Sequence, residues 1–177
     1  MPMRKPVGAL AHAKAILITV AAMLSLAGCA APSSIVPGTP ESEVISRFGQ
    51  PAEVYPLPTP LQARRLAYPI GRLYQQTWMV DVDAQGRVLR VEEVISAAHF
   101  AQVRVGQDDM TIIRREFGPP RLIQTYTLSG LTAWMYPYLE DLAWYSEMAI
   151  YFDKSGIVRR VESGPDPRFV GGSDRKD

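Results

Sequence analysis

The chain of 177 residues carries one run of landmarks twice, in the same order. In the first half, Gly38-Thr39-Pro40-Glu41 leads to Val44 and Phe48, and Phe48-Gly49-Gln50-Pro51 closes that segment. Leu66-Ala67-Tyr68-Pro69 follows, then Tyr74, Trp78, Val80 and Val82, the turn Asp83-Ala84-Gln85-Gly86, and Val91-Glu92. In the second half the counterparts are Gly106-Gln107-Asp108-Asp109, Ile113, Phe117-Gly118-Pro119-Pro120, and Trp134-Met135-Tyr136-Pro137. After these come Trp144, Met148, Ile150 and Phe152, then Asp153-Lys154-Ser155-Gly156 and Val161-Glu162. Self-similarity at one period marks a repeated supersecondary unit. The chain is therefore expected to fold as two copies of one small unit, at 38–94 and 95–163.

The local patterns say what that unit contains. Thr39 as N-cap, Pro40 at the first helical position and Glu41 in the first turn predict a helix start. Val44 and Phe48 share one helical face, and Gly49 with Pro51 stops the helix. Arg65 to Tyr68 reads as a short strand. From Tyr74 to Asp83 the residues alternate, with Tyr74, Trp78, Val80 and Val82 on one face and Gln75, Thr77, Met79 and Asp81 on the other. That is the pattern of a half-buried strand. Asp83 to Gly86 makes a hairpin turn, and Arg87 to Val94 returns. A short helix is expected over Ile95 to Gln102. The expected fold class is α+β: two tandem units, each of one or two helices followed by a three-stranded antiparallel meander, with the helices packed on one sheet face. The pattern leaves open whether the six strands form one sheet or two. Residues 164–177, rich in Gly, Pro and charge, read as a disordered tail.

The N-terminus reads as an export signal. Arg4, Lys5 and Lys14 precede an apolar stretch from Ala15 to Ala27, which runs into Leu26-Ala27-Gly28-Cys29. A basic start, an apolar run and small residues at a cut site make a secretory signal peptide, here 1–28. The run is shorter than the ~20 residues that span a bilayer. Leu-Ala-Gly-Cys resembles a bacterial lipobox, which implies cleavage before Cys29 and lipidation of that Cys. Several acyl chains on one Cys hold a protein firmly to a membrane, where one chain is marginal. Ala30 in place of Asp resembles the outer-membrane sorting signal. Residues 29–37 then form a tether, and the expected location is the periplasmic face of the outer membrane.

Composition removes several functions. Of 19 Lys and Arg, loss of Arg4, Lys5 and Lys14 with the leader leaves 16 against 18 acids, so the mature chain has no basic excess to attract nucleic acid. His12 lies in the leader and Cys29 is the only Cys, so His99 is left with few partners for zinc or for nucleophilic catalysis. The run from Asp81 to Glu92 matches an EF-hand loop apart from Gln85. Its flanks alternate as strands, however, and the second copy has Tyr151 in place of Asp81, so a hairpin turn is expected. Glu92-Glu93 and Glu140-Asp141 read as surface charge. No metal and no cofactor is expected, and no enzymatic activity.

Taken together, Gly38, Val44, Phe48, Gly49, Pro51, Asp83, Gly86 and Val88 carry a pattern similar to the SmpA/OmlA (BamE-like) family of outer-membrane lipoproteins. The second copy is Gly106, Ile113, Phe117, Gly118, Pro120, Asp153, Gly156 and Val158. That family has a single copy of the unit. The tandem form resembles the β-lactamase inhibitory protein fold, whose two units make a binding surface. The resemblance implies a lipid-anchored protein that binds outer-membrane or periplasmic proteins in envelope or outer-membrane protein assembly or maintenance. The tandem form implies, as an alternative, an inhibitor or binder of a periplasmic enzyme. Trp144 is expected in the core with Met148, Ile150 and Phe152. Tyr145 and Tyr151 on the opposite strand face, with Tyr138 and Met79, are the expected partner-binding residues, because Tyr supplies contact area at little entropic cost.

Overall fold

The computed structural model describes residues 32–71, 75–141 and 143–169. The leader 1–28, Cys29, Tyr74 and residues 170–177 lie outside the described residues. Met1–Ser34 and Ile35–Asp177 form separate units. Of the first, the described part is a 3-10 turn at Pro32–Ser34.

The described residues are mostly β, with 45% strand and 17% helix, which corrects the expected α+β arrangement of helices on three-stranded meanders. The strands are β1 (Glu53–Pro56), β2 (Arg64–Ile70), β3 (Gln76–Val82), β4 (Val88–Glu93), β5 (Leu122–Tyr126), β6 (Leu131–Glu140), β7 (Trp144–Phe152) and β8 (Val158–Pro165). They form two antiparallel four-stranded sheets, ordered β1-β2-β3-β4 and β5-β6-β7-β8. The helices are short: α1 (Glu41–Phe48), α2 (Ala97–Phe100) and α3 (Met110–Phe117). The extra strands, β1 and β5, are edge strands. β1 has four residues, ends in Pro and turns Glu53 and Tyr55 rather than Val54 inward, so its sequence lacks the apolar alternation of a half-buried strand; every residue of β5 is exposed.

The repeated landmarks do the same work in both halves. The Gly38 N–H bonds the Val88 carbonyl at 2.7 Å, and the Gly106 N–H bonds that of Val158 at 2.8 Å. The N–H of Glu41 reaches Gly86, as that of Met110 reaches Gly156. A β-bulge falls at Asp81/Val82 in one sheet and at Tyr151/Phe152 in the other. One start signal is displaced. Pro40, not Thr39, is the N-cap of α1, its extended backbone bridging to Arg87, and its ring carries no acceptor, so no side chain caps the helix. In α3, Asp109 caps the N–H of Ile112 at 2.9 Å.

Two cores result. Val44 and Phe48 of α1 pack with Leu66, Tyr68, Val80, Val82 and Val88 on one face of the first sheet. The opposite face, with Ala67 and Met79, joins a second core with Phe100 of α2, Ile113 and Phe117 of α3, and Trp134, Tyr136, Tyr138, Ile150 and Phe152 of the second sheet. Phe100 and Phe117 stack at 4.8 Å, and the Tyr136 hydroxyl donates to the Gly118 carbonyl at 3.1 Å. The layers therefore run α1, first sheet, α2 with α3, second sheet. β3 is buried on both faces rather than one, since the end of α3 closes over Thr77 and Met79 and Asp81 is buried against Arg65. β8 continues through Gly164 and Pro165, and Asp166 is fully buried, where the sequence pattern began a tail.

Tyr68 offers a test of the first core. Its ring meets Phe48 edge-on at 6.2 Å, and its buried hydroxyl has no hydrogen-bond partner among the described residues. Burial, with the charge of Glu41, pushes that hydroxyl up to about 12. A buried, unpaired polar group costs stability. Tyr68→Phe is therefore expected to leave the unfolding free energy unchanged or to raise it by up to ~1 kcal/mol in urea denaturation. A clear loss would show that the hydroxyl is paired.

Candidate protein-binding face

The second sheet has one face in the core and one outside it. Register places Leu122, Met135, Ala149 and Glu162 in one row across the outer face, and Gln124, Ala133, Tyr151 and Arg160 in the next. Ala133, Met135 and Ala149 form an apolar cluster with Tyr151 packed against it. The small alanines lie between larger neighbours that bury all three residues, so the cluster is an apolar floor beneath the side chains around it. Leu122 and Tyr126 stand at its edge, 43% and 36% exposed. Tyr151 is tilted against Tyr126 at 6.1 Å, and the Arg160 guanidinium lies 4.0 Å above its ring. Burial, then the Glu162 carboxylate, raise the Tyr151 hydroxyl above its usual range. The rim is polar: Glu147 pairs with Arg121, and Arg160 with Glu162. An apolar centre with a polar, aromatic rim is the anatomy of a protein-recognition surface.

The equivalent face of the first sheet is sealed. There Ala67 and Met79 lie under α3, and Gly118 approaches them so closely that a Cβ would sit 3.3 Å from the Met79 methyl. Two ion pairs rivet α3 down. Arg114 donates Nε to Glu53 of β1 at 2.7 Å, and Arg65 donates to Glu116 at 2.6 Å. Arg65 also forks onto Asp81 at 2.7 and 3.0 Å, both side chains being buried. Burial alone would lower the Arg65 guanidinium, but Asp81 and Glu116 hold it above its usual range.

The expected site residues therefore separate. Tyr151 lies on the outer face. Tyr145 shares its strand face but sits at the strand end, stacked on Phe169 at 3.9 Å. Tyr138 is a correction: its ring packs in the second core against Phe100, and its hydroxyl meets Ser163 at 2.6 Å. Met79 is another, buried beneath α3. Trp144, expected in the core, is 71% exposed because β7 leaves the covered area at its first residues. Cys29 lies outside the described residues. Leu122 and Met135 were missed. The signal that finds them is the register of β5, an edge strand with no burial pattern of its own.

A charged cavity of about 280 Å³ lies along the seam between the first sheet and the helices, lined by Arg65, Arg90, Glu92, His99, Asp108 and Glu116. Its arginines are matched by acids. Arg90 reaches Asp81 at 3.2 Å and Glu92 at 2.9 Å, and Arg104 reaches Asp108 at 2.6 Å. His99 links Ser96 Oγ, 2.8 Å from Nδ1, with Glu92, 3.0 Å from Nε2. Ser96 Oγ also accepts the His99 N–H three residues along, so this trio is a helix cap. In the turns, Asp83 accepts the N–H groups of Gln85 and Arg87 at 2.9 and 2.8 Å, and Asp153 does the same for Ser155 and Ile157. The carboxylates of the EF-hand-like run are thus committed to the turn and to arginines.

The Glu53–Arg114 clamp sets a pH dependence. The Arg114 hydrogen bond, outweighing burial, holds the Glu53 carboxyl below its usual range. Because folding lowers this pKa, its stabilisation is complete above the ordinary glutamate value and is lost as pH falls through the folded value. Asp166, where the hydrogen bonds from Arg168 outweigh a burial that would raise it, adds in the same direction. Urea denaturation between about pH 5 and 3 is expected to show falling stability, with a shallower slope for Glu53→Gln. An unchanged slope in the variant would remove Glu53 from that account.

Compared with known proteins, the chain matches no protein-family model and no curated protein. Among solved structures it is similar to a DUF4309 family protein, YjgB, from Bacillus subtilis subsp. subtilis str. 168. The TM-score is 0.30 at 12% identity, over 72% of this chain and 79% of that one. A likeness of that size supports no argument about fold or function.

Proposed function

We propose that this chain is a lipid-anchored protein of the bacterial outer membrane, facing the periplasm, that binds other proteins through the outer face of its second sheet. Its work is in envelope or outer-membrane protein assembly or maintenance, and it is binding rather than bond-making. One observation carries the binding reading: the matching floor of the first sheet lies under α3, whereas among the described residues no helix packs on Met135, Ala149 and Ala133, which only their strand neighbours cover, and Leu122 and Tyr126 beside them are exposed. The lipobox-like Leu26-Ala27-Gly28-Cys29 and the SmpA/OmlA-like repeat support the location and the role.

The test is a photo-crosslinking residue at Tyr151 in the intact lipoprotein, with the captured protein identified from the outer-membrane fraction. Capture of a β-barrel protein or an assembly component is the expected result. A soluble periplasmic enzyme as the adduct would favour an inhibitor instead. The absence of any adduct from correctly anchored protein would overturn the assignment of this face.

A further inference from the structure

The first repeat displays what packs on such a face: the C-terminal end of a short helix, closed by a glycine. We infer that the outer face of the second sheet receives the α1–Gly49 end of a second copy of this chain, so that copies add head to tail. The inference rests on the reading of that face as a binding surface and names its partner.

Three correspondences carry it. The first is the floor. Gly118 rests on the cross-strand pair Ala67 and Met79, and the second sheet holds Met135 and Ala149 in the same register, covered only by their strand neighbours among the described residues. The two residue types are exchanged and their combined volume is kept, the kind of change a packed contact tolerates best.

The second is the element that fits. Gly49 closes α1 with φ 81° and ψ −171°, and Gly118 closes α3 with φ 78° and ψ −166°. Gly118 is packed, whereas a Cβ built on Gly49 would have nothing within 4 Å. The same backbone device is thus buried in one repeat and bare in the other.

The third is the rim. In the internal contact Glu53 meets Arg114. Glu53 lies opposite Ala67 as Leu122 lies opposite Met135, so the counterparts are Leu122 and, one residue past the matched Val44, Ile45. A charge pair inside one chain becomes an apolar pair between two, and both members change together. Leu122 is 43% exposed and Ile45 partly exposed, as residues awaiting a partner are. The buried Arg65 and Asp81 become uncharged Ala133 and Tyr151, while their helix partner Glu116 becomes Arg47, so no acid is brought against an acid.

The contact is heterologous: it joins two different surfaces and need not close. Every assembly keeps one receiving face free at its end, which agrees with binding of other proteins there. Anchoring in one membrane raises the effective concentration of copies, so a modest contact suffices.

The test uses the full-length chain with two tags, co-expressed and co-purified from membranes. Leu122→Glu or Ile45→Arg, present in both copies, is expected to cut co-capture about tenfold, since each leaves an unpaired charge in the contact. Leu122→Glu with Ile45→Arg in both copies is expected to restore it by rebuilding the Glu53–Arg114 pair between chains. Thermal unfolding of each variant checks that the fold is kept. Co-capture insensitive to these changes, or lost without rescue, would overturn head-to-tail assembly. If the Tyr151 crosslinker still captures a different protein, the binding reading stands without self-assembly. If it captures nothing, both fall.

Discussion

Replacing Arg65 with alanine is expected to lower the unfolding free energy by about 3–5 kcal/mol, the usual cost of leaving one member of a buried ion pair alone. Asp81 would remain among Thr77, Met79 and Ala67 with only the half-exposed Arg90 to neutralise it. The change would also free Glu116 and loosen α3 from the first sheet. Removing both charges, as Arg65→Ala with Asp81→Ala, is expected to recover at least half of the loss. The second sheet already holds that geometry with Ala133 and Tyr151 at the same register positions. Urea denaturation of the two variants decides it. A single-variant loss under about 1 kcal/mol would place Arg65 among surface pairs.

Gly118→Ala is expected to cost about 3 kcal/mol and Gly49→Ala about 1–2 kcal/mol, as strain at a backbone region nearly reserved for glycine plus, for Gly118 alone, overpacking. The two share their φ and ψ, so strain is common to both. Only at Gly118 would the new methyl meet neighbours, 3.2 Å from the Thr77 methyl and 3.3 Å from the end of Met79. Met79 can yield, but Thr77 on a sheet strand cannot. The difference between the two variants measures how tightly α3 is packed on the first sheet. Equal losses would mean that the approach of Gly118 to that sheet is loose.

Particular residues show how far the sequence could be read. Val44 and Phe48, Ile113 and Phe117, and the closing Gly49 and Gly118 lie where their helical spacing and turn chemistry put them, because those signals are local. Leu66, Tyr68, Val80 and Phe152 are core for the same reason: each sits on the apolar side of an alternating strand. β1 and β5 escaped because one is four residues ending in Pro and the other is exposed throughout, and with them went the four-stranded sheets and the rim residue Leu122. Met79 was misjudged because alternation says which residues share a face and nothing about which faces a helix later covers. The same limit applies to Tyr151 and Tyr145. They share a strand face, but the first lies on the apolar floor and the second stacks on Phe169 beyond it. Arg65, Asp81 and Glu116 are far apart in sequence, and only the packing of α3 brings them together.

The face under α3 and the outer face of the second sheet can be compared directly by thermal unfolding of Met79→Glu and Ala149→Glu, which hold the same register position on matching strands. A carboxylate at Met79 has no route to water beneath α3, so that variant is expected to lose several kcal/mol, on the order of a buried unpaired charge, or to fail to fold. Ala149 is 9% exposed but lies on the outer face with no described helix above it, so a longer side chain can turn its carboxylate past the neighbours to water, and the expected loss is under about 1 kcal/mol with the Tyr151 adduct abolished. Equal, large losses from both would show that the outer face of the second sheet is part of the folded core and would contradict its role as a binding face.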